Sequence, residues 1–255
     1  MTETGVGGAK GIQGLILKAF GADDYRLTVT APARYFTDHY VRLEFSGGGL
    51  LREKPYHPTM FLRLWFEDRQ GRLHQRGYTV VDPDPAADTF AIEFALHEGA
   101  AARWALTARP GDALGATFLG SGFAIPEPAP EGWLIVGDAA SLPAINSLLD
   151  ALGRTTARGV PVTFWFEWVH DSDKDLPMRL RPHDTLHRVR RDPAPGAGIV
   201  EAVRAAAFDA TGHFGWVALD TAQTRAVASV LRTDYKLGRR GVKSQAYWLE
   251  TRCPS

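Results

Sequence analysis

A proline-rich run interrupts the chain near its middle and separates two different patterns of strand-like and helix-like segments. The run is Ile125-Pro126-Glu127-Pro128-Ala129-Pro130. Proline lacks a backbone N–H and fixes φ, so alternating prolines of this kind form neither a helix nor an inner strand. We therefore predict a linker over residues 125–131, with one domain before it and another after it.

Short strand-like runs separated by turn residues occupy the chain before the linker. Six runs of this kind occur, over residues 25–30, 39–45, 59–66, 77–81, 89–96 and 113–117. One alanine-rich stretch, 100–108, has helical character. This spacing predicts a closed or nearly closed six-stranded antiparallel barrel over residues 13–124. The glycine-rich residues 1–12 have no periodicity and are predicted to be disordered.

Strand-like and helix-like runs alternate after the linker. The expected strands are 133–136, 160–169, 185–189, 214–219 and 245–249, and the expected helices are 143–152, 199–208 and 221–235. Such alternation predicts a parallel sheet covered by helices on both faces, here over residues 132–255. The fold class is therefore β followed by α/β, and ligands of such sheets bind at the carboxyl ends of the strands.

Charge and cysteine content exclude several classes of function. Lysine plus arginine and aspartate plus glutamate number 29 each, so no excess charge favours nucleic acid. The only cysteine is Cys253, which excludes an intramolecular disulfide and a cysteine-only metal site. No apolar run is long enough to span a bilayer, and the first residues lack the apolar core of a signal peptide. We expect a cytoplasmic protein, with a peripheral position at the inner membrane left open.

The first candidate site is the run Gln75-Arg76-Gly77-Tyr78-Thr79-Val80. Side chains alternate along a strand, so Arg76 and Tyr78 share one face and Thr79 takes the other. A cation beside a flat aromatic ring, with a hydroxyl and free backbone groups at the strand end, suits a planar anionic cofactor. An exposed Arg–Tyr pair on a barrel strand is the structural alternative.

The second candidate site lies where the strand ending at His97 meets the predicted helix. Gly99, Ala100, Ala101 and Ala102 open this helix, and Trp104 follows. Small side chains let an anion approach the unpaired amides of the first turn, where we expect a cofactor pyrophosphate. Helix propensity alone also accounts for the alanines, and a structural role also accounts for the histidine.

The third candidate site is the junction between the first strand and the first helix of the second domain. A buried strand runs into Gly137 and Asp138, and Ser141 and Pro143 stand near the start of the helix. This is the geometry of a nucleotide site, although the full G-x-G-x-x-G is absent. An ordinary strand–turn–helix connection is the alternative.

The fourth candidate site lies near the C-terminus, where Tyr247-Trp248 is preceded by Arg239, Arg240 and Lys243. One ring of the aromatic pair can pack in the core while the other covers a planar ligand. The cations can hold an anionic substrate, or they form a solvated loop that caps the last helix. No sequence motif for a resident metal, a nucleophile or a general acid–base pair is found.

In this order, the motifs resemble the siderophore-interacting proteins, which are flavin-dependent ferric-siderophore reductases. Arg76-Gly77-Tyr78-Thr79 resembles the flavin-binding strand of ferredoxin-reductase-like proteins. The resemblance extends to the His97 strand, to Pro110-Gly111-Asp112, to Gly137-Asp138 and to Tyr247-Trp248. Leu119-Gly120-Ser121-Gly122-Phe123 and 245–250 resemble the reductase domain fused to the mycobacterial siderophore importer.

The resemblance implies a FAD-binding barrel, an NAD(P)H-binding lobe, and reduction of Fe(III) in a mycobactin-type siderophore to release Fe(II). It implies that Arg76, Tyr78 and Thr79 hold the flavin and that residues 99–102 hold the pyrophosphate. The expected partners are a ferric siderophore and an inner-membrane importer, and we expect a monomer. Val81 stands where the family has an arginine, and the alanines replace a hydroxyl donor. Two alternatives therefore remain: a siderophore-binding module with little or no flavin, and a general NAD(P)H:flavin reductase.

Overall fold

A computed structural model describes residues 23–155, 159–192 and 197–249. The chain divides into two compact units, with the division between Ala124 and Ile125. Residues 1–12, predicted to be disordered, lie outside the described residues, as does Cys253.

The first unit contains a curled antiparallel sheet. Its elements are β1 Asp23–Val29, β2 Arg34–Thr37, β3 Tyr40–Ser46, α1 Leu50–Glu53, β4 Phe61–Glu67, β5 Leu73–Thr79, β6 Val81–Asp84, β7 Thr89–Ala95, α2 Ala100–Thr107 and β8 Ala113–Phe118. The strands form one sheet in the order β5-β4-β8-β1-β3-β7-β6, with β2 paired to β3. The end strands β5 and β6 are consecutive in the chain, so the sheet curls until its two ends are joined at Val80.

The sheet has eight strands where the sequence predicted six. The additional strands are β2 and β6, of four residues each. The predicted run 77–81 is divided because the Val80 N–H donates to the Met60 carbonyl, at 2.8 Å, and Asp82 takes a φ of 46°. The predicted barrel architecture is confirmed. The strands β2 and β6 were not predicted because each has only four residues, too few for a clear apolar pattern.

Alternating side chains explain why the first unit forms a barrel with a core. On β3 the apolar residues Val41, Leu43 and Phe45 are fully buried, while Arg42 and Glu44 between them are half-buried. This period of two directs one face of the sheet inward. The inner face joins the neighbouring strands and α2 in a single hydrophobic cluster.

The second unit contains a parallel sheet with helical connections. Its elements are β9 Trp133–Asp138, α3 Leu142–Arg154, β10 Val162–Trp168, β11 Thr185–Arg190, α4 Ala197–Ala205, β12 Phe214–Ala218, α5 Thr221–Thr233 and β13 Val242–Ser244, with 3-10 turns at Asp171–Asp175 and Arg239–Gly241. The strand order is β11-β10-β9-β12-β13, and all pairs are parallel. The order reverses between β9 and β12, and doubly wound sheets bind ligands beside such a reversal, at the carboxyl ends of the strands.

The last strand lies earlier in the chain than predicted, at Val242–Ser244 and not over 245–249. The chain nevertheless continues alongside β12, because the amides of Gln245 and Tyr247 donate to the carbonyls of Val217 and Leu219, each at 2.9 Å. A single bridge then pairs Trp248 with Asp220. This course carries the predicted aromatic pair to the carboxyl edge of the sheet.

Within residues 23–155, 159–192 and 197–249, no helix is both long enough and apolar enough to cross a bilayer.

Candidate functional site

A pocket of about 210 Å³ in the first unit brings the first two candidate sites together. Arg76 and Tyr78 of β5 line one side, and His97, Gly99, Ala100 and Ala101 at the start of α2 line another. These residues are about twenty positions apart in sequence. They meet because β5 and the chain leading out of β7 lie on the same side of the curled sheet.

The charge of the pocket is carried by Arg76 and Arg103, which face Asp68 and Glu98. The exposed Arg76 guanidinium donates to its neighbour's carbonyl, that of Gln75, at 2.8 Å. In the described part of the chain it forms no ion pair. Asp68 is already engaged, because His74, Arg72 and two backbone amides hydrogen-bond to it. These contacts, the one from His74 foremost, hold the pKa of Asp68 below its usual value.

The first turn of α2 presents backbone donors at the pocket. Its first intrahelical bond runs from the Arg103 N–H to the Gly99 carbonyl, at 3.1 Å, and no side chain caps the helix. The amides of the preceding positions therefore have no intrahelical acceptor. Methyl side chains at Ala100 and Ala101 leave them accessible to an anion.

Aromatic rings form the wall behind Tyr78. Its ring centre lies 4.5 Å from that of Phe94 and 5.9 Å from that of Phe66. Burial raises the pKa of Tyr78. Trp104 does not line the pocket but packs against Phe66, at 5.9 Å between ring centres, and so supports the wall from behind. The ring of Tyr78 thus has a fixed position beside an unpaired cation.

Other residues predicted at this site have different surroundings. Thr79, Val80 and Ala102 are buried, and Gly77 is exposed on β5 beside Arg63. None of these four lines the pocket. Their role in binding the cofactor stays a prediction. Val81, which replaces the arginine of the resemblance, is fully buried in β6.

The carboxyl edge of the parallel sheet in the second unit holds a buried carboxylate. Asp138 ends β9, and its Oδ2 accepts a hydrogen bond from the Trp248 indole N–H at 2.8 Å. The Ser141 hydroxyl and amide both donate to Oδ1 at 3.0 Å. Burial raises the pKa of Asp138, and the Trp248 and Ser141 hydrogen bonds oppose this effect. Three of the predicted residues therefore form one polar cluster.

A second part of this cluster was not predicted from the sequence. Arg191 donates to Glu167 Oε2 at 2.7 Å and to Asp220 Oδ2 at 3.2 Å, and its guanidinium lies 4.7 Å from the centre of the Trp248 ring. Gln223 donates to the other Glu167 oxygen at 2.7 Å. Burial raises the pKa of Glu167 to about 7, although Arg191 opposes the shift. Glu167 lies near the end of β10, Arg191 follows β11, and both Asp220 and Gln223 follow β12, so only the strand order brings them together.

Gly137 and Pro143 are buried in the packing between β9 and α3. A Cβ at Gly137 would lie 2.5 Å from both the Ile145 Cδ1 and the Ser141 Oγ. The glycine therefore allows α3 to pack closely against the end of β9. A role for Gly137 and Pro143 in binding a cofactor stays a prediction.

The predicted substrate-binding cations Arg239, Arg240 and Lys243 are exposed. The first two precede β13, at the amino edge of the sheet, and Lys243 pairs with Trp216 in mid-strand. Trp248 lies at the opposite, carboxyl edge. The structure therefore does not bring these cations to the Asp138 cluster, and their role in substrate binding stays a prediction.

The pocket in the first unit has the donor set that a flavin dinucleotide needs. Arg76 offers a guanidinium for a phosphate, the first turn of α2 offers unpaired amides, and Tyr78 offers a flat ring. No group of three or more His, Cys, Asp or Glu side chains in the described residues is placed to hold a metal ion. The donors at the pocket fit an organic anionic cofactor.

The architecture of the two units is similar to that of the ferredoxin reductases. A ferredoxin NADP+ reductase from Neisseria gonorrhoeae, solved with bound FAD and NADP, superposes with a TM-score of 0.63 at 14% identity, covering 89% of this chain and 99% of that one. A siderophore utilization protein from T. fusca gives a TM-score of 0.75 at 21% identity, covering 90% and 94%.

Two family models match consecutive parts of the sequence. Residues 25–118 match the siderophore-interacting FAD-binding domain, and residues 130–251 match the siderophore-interacting protein. The chain belongs to the siderophore-interacting protein family, with FAD as the cofactor of its first unit.

A mycobacterial transport protein is among the curated relatives. The mycobactin import ATP-binding/permease protein IrtA of Mycolicibacterium thermoresistibile is 34% identical over 252 residues. The match covers 96% of this chain but 27% of that protein. The chain therefore spans about a quarter of the length of this relative.

Proposed function

We propose that this chain uses NAD(P)H to reduce Fe(III) held in a siderophore of the mycobactin type, with FAD bound in the pocket of the first unit, and so releases Fe(II). The observation that carries the proposal is the convergence of Arg76, Tyr78 and the unpaired first-turn amides of α2 on one pocket. The family membership and the mycobactin-import relative support the siderophore as substrate.

The chemistry of iron explains why reduction releases the metal. Siderophores hold Fe(III) with hard oxygen ligands, and Fe(II) is less charged and binds such ligands less strongly. A bound flavin supplies the conversion from the two-electron chemistry of a hydride donor to the one-electron chemistry of iron. The protein side chains need not act as acids or nucleophiles, in agreement with the absence of such motifs from the sequence.

The residues of the first unit have the tasks of binding and orientation. Arg76 neutralises phosphate charge, and the α2 amides donate hydrogen bonds to phosphate oxygens. Tyr78 is held in place by Phe66 and Phe94, so its ring limits the positions open to a planar group. Methyl groups at Ala100 and Ala101 keep the approach to the amides open.

The nicotinamide dinucleotide binds to the second unit in this proposal. Its sheet reverses strand order between β9 and β12, and the ligands of such sheets bind at the carboxyl edge. At that edge Trp248 donates a hydrogen bond to Asp138, and the Arg191 guanidinium lies over the Trp248 ring. Trp248 is half-buried, so part of its ring remains available to a ligand.

Binding of FAD tests the assignment of the pocket. Arg76→Ala removes the guanidinium, and we expect FAD affinity to fall by about 1.5–3 kcal/mol, which is the range of a hydrogen bond to a charged group. Arg26→Ala is the matched control, because Arg26 is exposed on β1 of the same sheet and does not line the pocket. Equal FAD affinity in both variants, measured by flavin fluorescence, would show that the pocket does not hold the phosphates.

A chain that retains no flavin after FAD addition and desalting would instead support a siderophore-binding module. Activity that saturates with free flavin but not with ferric mycobactin would support a general flavin reductase.

A further inference from the structure

Two cations flank one indole ring where β10 and β11 end. Trp168 is the last residue of β10 and is paired with Arg190, the last residue of β11. The Arg190 Cζ lies 5.5 Å from the centre of the Trp168 ring, and the Lys174 Nζ lies 4.6 Å from it. Both distances are within the range of a cation–π contact. Arg188 adds a third cation, because its Nη2 donates to the Lys174 carbonyl at 3.2 Å.

Carboxylates do not cancel this positive group. Asp171 accepts from Lys174 at 2.9 Å, but its side chain is 86% exposed. The hydrogen bond from Lys174 lowers the pKa of Asp171, with a smaller contribution from Arg190. Asp175 is exposed on the same 3-10 turn. Within the described residues, Arg190 is exposed and no hydrogen-bonded ion pair is formed by its guanidinium.

The position of this group is that of a dinucleotide's adenosine. In a doubly wound sheet the ligand lies outside the carboxyl ends of the strands, with the ribose beside the second strand of the unit, here β10. Trp168 is half-buried, and the remaining accessible part of its indole ring can contact a base. Neighbouring arginine and lysine side chains can bond the oxygens of a phosphate on that ribose.

The acid at the end of the second strand cannot serve the alternative dinucleotide. NAD-binding sites of this topology use a carboxylate at the end of the second strand to accept from the ribose 2′-hydroxyl. Glu167 holds that position, but it is 2% exposed and both its oxygens accept internal hydrogen bonds, from Gln223 and Arg191. Glu167 therefore offers a ribose hydroxyl no available acceptor, whereas a phosphate finds cations.

We propose that Trp168, Lys174 and Arg190 form a subsite for the adenosine 2′-phosphate, which makes NADPH and not NADH the preferred electron donor. The inference rests on the proposed function, because it assigns a dinucleotide to the second unit. A 2′-phosphate carries nearly two negative charges and competes with the single charge of Asp171 for Lys174. The Trp168 ring contributes to binding of either dinucleotide, and the cations contribute to discrimination.

Binding of two nucleotide fragments tests the subsite without any redox step. Adenosine 2′,5′-bisphosphate carries the 2′-phosphate, and 5′-AMP lacks it. Isothermal titration of the full FAD-supplemented chain should give at least about tenfold tighter binding of the bisphosphate.

Arg190→Ala should abolish most of this difference and leave 5′-AMP binding unchanged. Trp168→Ala should weaken both fragments by a similar factor. Arg232→Ala, an exposed arginine on α5, is the charge-matched control and should change neither.

The outcomes separate this inference from the proposed function. Equal affinity for both fragments, or an undiminished preference in Arg190→Ala, would overturn the 2′-phosphate subsite, even if dinucleotide-driven iron reduction were observed. A preference that Arg190→Ala removes would support the subsite, even if the chain reduced no ferric siderophore.

Discussion

The hydrogen bond between Trp248 and Asp138 predicts a stability difference between two similar tryptophan substitutions. Trp248→Phe keeps an aromatic ring but removes the N–H that donates to Asp138 Oδ2 at 2.8 Å. Asp138 is buried, at 7% exposure, so the lost donor is not replaced fully by water. A hydrogen bond to a charged group contributes about 1.5–3 kcal/mol. We expect the free energy of unfolding at pH 8 to fall by an amount in this range.

Trp133 offers the matched control in the same unit. It is fully buried at the start of β9, and no described residue accepts a hydrogen bond from its Nε1. Trp133→Phe therefore removes a buried donor whose lack of a partner costs about 1–3 kcal/mol, which offsets the lost ring volume. Trp248→Phe should be the more destabilising change, although Trp248 is the more exposed residue.

The measurement is urea unfolding followed by far-UV circular dichroism, which does not depend on the tryptophans for its signal. The excess destabilisation of Trp248→Phe should shrink as the pH falls, because a protonated Asp138 accepts a weaker hydrogen bond. If Trp133→Phe were equally or more destabilising at pH 8, the reasoning about the buried carboxylate would be refuted.

Three further changes have expected outcomes. Ala100→Asp places a negative charge in the first turn of α2, so the melting temperature of the FAD-free chain should rise slightly through the helix dipole. FAD affinity, measured by flavin fluorescence, should fall by at least about 1 kcal/mol because the charge repels phosphate. If stability and FAD affinity rose or fell together, the assignment of the pocket to FAD would be contradicted. Burial raises the pKa of Glu167 from its usual 4.5 to about 7, so the folded chain binds this proton more tightly than the unfolded chain. As the pH rises from 4.5 to 7, the wild type should therefore lose roughly 3 kcal/mol of unfolding free energy relative to Glu167→Gln, measured by urea unfolding. Parallel pH profiles of the two proteins would argue against the raised pKa. Gly137→Ala places a methyl 2.5 Å from Ile145 and Ser141 and should cost about 1–3 kcal/mol in thermal unfolding, and a neutral result would show that α3 can move away freely.

Local sequence patterns were sufficient to predict the architecture. Six short strand-like runs separated by turn residues predicted an antiparallel barrel, and the strand–helix alternation after Pro130 predicted a parallel sheet. The short strands β2 and β6 were missed because four residues carry little periodicity. The last strand was placed a few residues late because Tyr247 and Trp248 have strong strand propensity, although they form only isolated pairings with β12.

Contacts between distant residues were predicted less well than local motifs. Arg76, Tyr78 and the start of α2 were identified because each forms a compact motif in the sequence. Arg191 and Glu167 were missed because each is an ordinary charged residue at the end of a strand, and only the order of the strands makes them partners. Their positions were the missing information: Glu167 is buried near the end of β10, and Arg191 is half-buried directly after β11.

Anaerobic stopped-flow absorbance can follow both electron transfers of the proposed reaction. The FAD-loaded chain is mixed first with NADPH and then with ferric mycobactin, while the absorbance of the flavin band at about 450 nm is followed. The account predicts loss of the band in the first step and its recovery in the second, at a rate that saturates with ferric mycobactin and with formation of Fe(II). A band that NADPH does not bleach, or that ferric mycobactin does not restore, would contradict it.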